Sequence, residues 1–111
     1  KKSYLHISDC ISAIDRAINK FDEKINIINL GTQEYLKVKD SIKIICGCLK
    51  LKPKIIYTGG KRGWVGDNPF IYLDTKKIRS TGWTPKNSII NSVKITANYL
   101  IKNSWLLKRK N

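Results

Sequence analysis

The residues best suited to chemistry stand together in one stretch, Tyr57-Thr58-Gly59-Gly60-Lys61-Arg62-Gly63-Trp64-Val65-Gly66-Asp67-Asn68-Pro69. Four of the seven glycines lie in it, beside a Lys-Arg pair, one Trp and one Asp. Glycine lets backbone N–H groups come close to a ligand and adopt positive φ, so Gly60 and Gly63 can present main-chain donors. Arg62 carries a planar fork that suits a phosphate or a carboxylate. Asp67 can accept hydrogen bonds from sugar hydroxyls, and Trp64 can stack on a base or sugar ring or simply anchor the loop. The plain alternative is a surface loop whose charges are merely solvated.

The other reactive residues form no comparable group. Cys46 and Cys48 are separated by one residue and His6 is the only histidine, so a zinc site is not expected. Three cysteines, an odd number, point to reduced thiols and a cytoplasmic setting rather than a disulfide framework. Twenty-two basic against eight acidic residues give +14, which raises nucleic-acid binding as a question. The basic residues are spread along every segment, however, and the one dense run is Lys108-Arg109-Lys110. Lysine reads as the default solvent-facing residue of a Lys-, Ile- and Asn-rich composition, and a nucleic-acid partner is not expected.

The elements that must position the loop are modest. A chain of 111 residues allows one domain with a small core. No apolar run approaches the ~18 residues a membrane span needs. Opening on Lys1-Lys2 without a Met or a signal-peptide pattern, the sequence reads as a piece of something longer. Ser3 to Ile7 alternates like a short strand, after which Ser8 or Asp9 can cap a helix. In that helix Ile11, Ile14, Ala17, Ile18 and Phe21 mark the face expected to be buried. Ile25 to Leu30 reads as a buried strand closed by Gly31-Thr32. Val38, Ile42, Ile45, Cys46 and Leu49 line a second helix, weakened by Gly47. Lys54 to Tyr57 is a third short strand leading into the glycine stretch. Asp74 or Thr75 starts a short helix ending near Gly82. Asn87 or Ser88 caps a last one, with Ile89, Ile90, Val93, Ala97, Leu100 and Ile101 on its apolar face. The expected order is β-α-β-α-β-loop-α-α, an α/β or α+β piece.

Gly59-Gly60-Lys61-Arg62-Gly63-Trp64-Val65-Gly66-Asp67, then Leu73-Asp74-Thr75-x-Lys77-Ile78, then Gly82-Trp83-x-Pro85 resembles the C-terminal part of NAD-dependent nucleotide-sugar epimerases and dehydratases. These are the extended short-chain dehydrogenase/reductases, of UDP-glucose 4-epimerase type. Tyr4-Leu5-His6-Ile7-Ser8-Asp9 and Asn29-Leu30-Gly31-Thr32 agree with the same pattern in order and spacing.

The resemblance implies that residues 1–111 are one substrate-binding segment, with the cofactor-binding Rossmann domain outside it. It implies Arg62 on the diphosphate and Asp67 on the nucleotide ribose, with Gly60, Gly63 and Trp64 lining the same site. One departure stands out: many relatives carry the arginine three residues before the aspartate, and Trp64 occupies that place here. The family's chemistry also needs NAD on a glycine-rich turn that opens a βαβ unit, and a Tyr-x-x-x-Lys pair to take a proton from a sugar hydroxyl. No glycine pattern opens a βαβ unit in this sequence, so no cofactor is expected in this chain. Tyr35…Lys39 lies in a connector and Tyr57…Lys61 crosses Gly59-Gly60, so neither pair is expected to be catalytic. Asp9 reads as a helix cap, His6 as a packed strand residue, Asn29 and Thr32 as turn residues, Trp83 as core and Pro85 as a terminator. The expected partners are a nucleotide-sugar and a cofactor domain, or a homodimer through the Tyr4–Ile7 edge. The rival reading is a free-standing basic module that binds nucleotide, RNA or another polyanion without catalysis.

Overall fold

A computed structural model describes residues 1–60, 63, 65–68 and 70–108; Lys61, Arg62, Trp64, Pro69, Arg109, Lys110 and Asn111 lie outside the described residues. Along the chain run α1 (Ile7–Lys20), α2 (Val38–Leu49), α3 (Lys76–Arg79), α4 (Ile89–Lys102) and a closing 3-10 turn (Ser104–Leu107). Helices α1, α3 and α4 begin where a polar side chain takes a free N–H group, whereas Lys37 before α2 makes no such side-chain bond. His6 has extended backbone and its Nδ1 accepts from Ser8 N–H at 3.3 Å. The cap of α1 is therefore His6, not Ser8 or Asp9. Ser88 caps α4 by accepting from Asn91 N–H at 3.2 Å. Asp74 accepts from Lys76 N–H at 2.9 Å at the start of α3. At the far end of α2, Lys50 turns left-handed at φ 55 and its N–H returns to the last turn.

The expected strands do not form. Among the described residues the segments 3–7, 25–30 and 54–57 carry no ladder, and Ile7 already belongs to α1. What exists is one isolated antiparallel bridge, Lys2 with Leu36, exchanging two N–H···O bonds of 2.8 Å. The physical reason is visible in residues 25–30, which alternate as a strand does: Ile25 and Ile27 are exposed while Ile28 and Leu30 are half-buried. A side-chain alternation needs only extended backbone, whereas a strand needs an edge to pair with. The order β-α-β-α-β-loop-α-α is thus replaced by helices joined through extended, unladdered segments.

The core is small. Ala13, Ile78 and Trp83 are buried together, with Leu5, Ala17, Ile28 and Leu30 packed around them. Trp83 Nε1–H donates to Ser12 Oγ at 2.9 Å, so its one polar atom is satisfied inside. Helices α2 and α4 pack against each other. The accessible surface is 9110 Å², against about 6,200 Å² for a typical folded chain of this mass. The radius of gyration is 17.1 Å, against about 13 Å for that length.

Helix α1 accounts for part of the excess, because its buried face is the polar one. Asp9 and Ala13 are buried, Ser12 holds Trp83, and Arg16 Nε donates to the Thr81 carbonyl at 2.9 Å while Nη2 bonds the same oxygen. Ile11, Ile14 and Ile18, expected inside, are 59%, 48% and 72% exposed. Only Ala17 and Phe21 of the expected face are half-buried. Among the described residues no helix is long and apolar enough to cross a membrane.

Candidate functional site

The glycine-rich loop is entered by an exposed extended segment, 51–58. Gly59 and Gly60 then take φ values of 77° and 107°, a region that disfavours any residue with a Cβ. Two residues of the stretch are fastened by one side chain. Asp67 Oδ2 accepts from Gly63 N–H at 3.1 Å, and Oδ1 accepts from Lys2 Nζ at 2.5 Å. A Cβ on Gly63 would lie 3.3 Å from Asp67 Oδ2, so the close approach itself calls for glycine. Lys2 Nζ also donates to the Asn68 carbonyl at 2.8 Å. The N-terminal segment thereby clamps the end of the loop from 65 residues away.

Asp67 is buried, at 8% exposure. The Lys2 ammonium, followed by the Gly63 N–H, holds its carboxyl below the usual carboxylate range. A carboxylate has about four lone-pair positions, and each oxygen keeps acceptor capacity beyond the bond described. As seen here, Asp67 first ties its own loop shut. Gly60 and Gly63 sit at the two sides of the stretch, while Arg62 and Trp64 lie outside the described residues. Next to the clamp opens a cleft of about 250 Å³, lined by Lys2, Ser3, Leu5, Thr32, Asn68 and Ile71 among others. Thr32 is buried and its Oγ1 accepts from Glu34 N–H at 3.2 Å, which shapes the turn after Gly31. Outside that cleft Tyr35 meets Phe70 edge-on at 5.6 Å, Phe70 stacks on Tyr72 at 5.8 Å, and Lys1 Nζ lies 4.6 Å over the Tyr35 ring.

Two residues that hold this region, Lys2 and Glu34, escaped the sequence reading, and Asn87 was read only as a candidate cap. Lys2 was one basic residue among many and carried no local signal. Glu34 Oε2 accepts from Ile89 N–H at 2.5 Å, placing a carboxylate at the N-terminus of α4, where the helix dipole favours it. Asn87 joins Asp9, whose carboxylate accepts from Lys86 N–H at 3.0 Å and from Asn87 N–H and Nδ2–H at 3.1 Å each. Burial pushes the Asp9 carboxyl up, and the bonds from Lys86 N–H and Asn87 outweigh it, leaving the carboxyl below its ordinary value. Asp9 is therefore an anchor for the approach to α4 rather than a cap of its own helix.

Tyr35 precedes α2, the helix that carries Lys39, and Tyr57 is exposed in the segment before Gly59. The spacing Gly60, Gly63, Gly66 matches a dinucleotide turn in number. Such a turn delivers the pyrophosphate to the N-terminus of a following helix. Here α3 begins only at Lys76 and has four residues, so the described residues do not fit the dinucleotide. They also hold no group of three or more His, Cys, Asp or Glu that could bind a metal ion.

No family model matches the chain. A Methanocaldococcus jannaschii protein provisionally named UDP-glucose 4-epimerase is 28% identical over 103 residues, 93% of this chain and 32% of its own length. GDP-L-fucose synthase 1 of Arabidopsis thaliana is 22% identical over 106 residues, 92% of this chain and 30% of its own. A crystal structure of UDP-galactose 4-epimerase superposes with a TM-score of 0.78 and 30% identity, over 94% of this chain and 34% of that one. This is a UDP-glucose 4-epimerase-like chain. It spans about a third of the length of each relative. The epimerase-like chain therefore corresponds to a segment of those enzymes, and the likeness runs through the glycine stretch and both flanks.

Proposed function

We propose that the epimerase-like chain is the substrate-holding, C-terminal segment of an NAD-dependent nucleotide-sugar epimerase or dehydratase. The observation that carries this reading is the loop clamp: a buried Asp67 closing a glycine-rich turn, in a chain whose near-whole length superposes on a third of UDP-galactose 4-epimerase. In this reading Arg62 takes the diphosphate, Gly60 and Gly63 offer backbone donors, Trp64 covers the ring, and Asp67 meets the ribose with its remaining lone pairs. Lys2 fixes where that carboxylate stands. NAD, held by a dinucleotide-binding unit outside these residues, supplies the hydride chemistry. The segment itself contributes binding, orientation and exclusion of water, and alone turns nothing over.

The test is an NMR titration of the chain with UDP-sugars and GDP-sugars. Half a site should bind at about 0.1–1 mM, with amide shifts at Gly59, Gly60, Gly63 and Asp67. Arg62→Ala should weaken them. Shifts confined to other regions, or unchanged in Arg62→Ala, overturn the assignment. Equal response to RNA or polyphosphate favours the basic polyanion-binding module instead.

A further inference from the structure

Lysines that are spread along the sequence gather in the fold. Residues 1–36 carry five basic and five acidic side chains, whereas residues 37–54 and 86–108 carry ten basic and one acidic, Asp40. Those two stretches hold α2 and α4 with their flanks, and the two helices pack against each other. A lysine-rich composition raises the charge everywhere, so it does not account for a neutral first third beside so basic a helix pair. Lys39, Lys43 and Lys50 follow one another along α2 and its cap at steps of four and seven, close to one side of the helix. Lys94 and Lys102 stand eight apart on α4. All five are exposed. Among the described residues the one ion pair on this helix pair is Lys43 with Asp40, at 3.8 Å.

Such a face does not suit a protein neighbour. Covering it would strip water from lysines that have a single carboxylate to offset them, and the buried centres of protein interfaces are depleted of charge. A surface carrying many negative charges complements it instead. The closing 3-10 turn decides between two such surfaces. Trp105, Leu106 and Leu107 are 66%, 44% and 67% exposed, in a turn that packs against α4 and stands between Lys102 and Lys108. A nucleic acid can stack a base on the indole but offers nothing to two leucines. The interface of an anionic bilayer takes all three, with the indole at headgroup depth, the leucines at the acyl boundary and the lysines on the negative headgroups. Among the described residues no helix is long and apolar enough to cross a membrane, so the contact is a peripheral one.

We infer that the α2–α4 pair and the Trp105–Leu107 turn form a docking surface for anionic phospholipid membranes, a second function beside the holding of a nucleotide-sugar. Co-sedimentation of the 111-residue chain with vesicles of phosphatidylcholine alone, or with about 30% phosphatidylserine, tests it. The chain should pellet with the anionic vesicles and stay in solution with the neutral ones. Raising salt from about 0.1 M to about 0.5 M should release most of it. Lys39→Glu combined with Lys94→Glu should lower the partition coefficient at least about tenfold. Lys20→Glu combined with Lys24→Glu makes the same change in net charge at exposed positions of the neutral stretch, and should lower it less than about threefold. Trp105→Ser combined with Leu107→Ser should lower it about tenfold and leave the salt dependence unchanged. Helicity by circular dichroism confirms that the variants, all at exposed positions, fold. Equal binding to both kinds of vesicle, equal loss in the two charge-reversed chains, full binding by the Trp105→Ser, Leu107→Ser chain, or tighter binding to an RNA of roughly 20 nucleotides than to the anionic vesicles overturns the proposal.

Discussion

Asp9 and Asn87 are joined twice: one carboxylate oxygen, Oδ2, accepts from both the backbone N–H and the side-chain Nδ2–H of Asn87, each at 3.1 Å. The other oxygen takes Lys86 N–H. Helix α1 thereby holds the turn that leads into α4, across a sequence separation of 77 residues. The carboxylate is 2% exposed, so these donors stand in for water. Removing them from a buried charge is costly. Asp9→Ala should lower stability by about 2–4 kcal/mol in urea or thermal unfolding, with the largest loss of amide protection in residues 86–92. Asp9→Asn should cost less, because its amide keeps one acceptor.

Acid should weaken the fold through Asp9 and Asp67. Both carboxyls are held below their usual value in the folded chain, while in the unfolded chain each titrates near about 3.9. The stabilisation is present in full above that value and is lost as pH falls through the lower folded pKa. Unfolding measured between pH 6 and 2 should show a decline beginning below about pH 4. Asp67→Asn should flatten part of that decline, and a stability independent of pH in both chains would contradict it.

Two glycine substitutions should act in opposite directions. A Cβ at Gly47 meets nothing within 4 Å inside α2, so Gly47→Ala should stabilise by about 0.5–1 kcal/mol. Gly82 stands at φ 83 with Arg16 Nη2 at 3.2 Å from where a Cβ would lie. Gly82→Ala should destabilise by about 1–2 kcal/mol from the left-handed backbone alone. Thermal unfolding of the two variants beside the parent chain checks both signs.

Lys2→Ala should release the loop clamp without touching the core. Asp67 would lose its ion pair and the Asn68 carbonyl its donor. Amides at Gly63 and Asp67 should exchange faster, and any UDP-sugar shifts should weaken. Protection in the Trp83 region should stay unchanged.

NAD should neither bind to the chain nor support turnover of a UDP-sugar, since α3, the first helix described after the glycine turn, begins only at Lys76 and has four residues. Fluorescence or NMR titration with NAD, beside an epimerase assay, measures this. Turnover that disappears in Tyr35→Phe or Tyr57→Phe would restore a Tyr-x-x-x-Lys pair to the chemistry.

What the amino-acid order determined by itself was local. Helical periodicity placed α1, α2 and α4, Ser88 announced its own cap, Asp74 marked the start of α3, and Trp83 proved to be core. Those signals act over three or four residues, within reach of the chain's own backbone. The epimerase likeness was legible in the same way, because it rests on residue types at short spacings around Gly59–Asp67 and Leu73–Pro85. Tertiary structure decided the rest. A stripe of isoleucines shows that α1 has an apolar face but not which face the remaining chain covers, and Asp9, Ser12 and Arg16 found partners that turned the helix the other way. The apolar run at 25–30 promised a buried strand, yet a ladder needs a neighbouring edge and none is paired there among the described residues. Lys2 to Asp67 and Glu34 to Ile89 span 65 and 55 residues. A charge in a sequence this basic carries no address, and only the folded path brings each pair within hydrogen-bond reach.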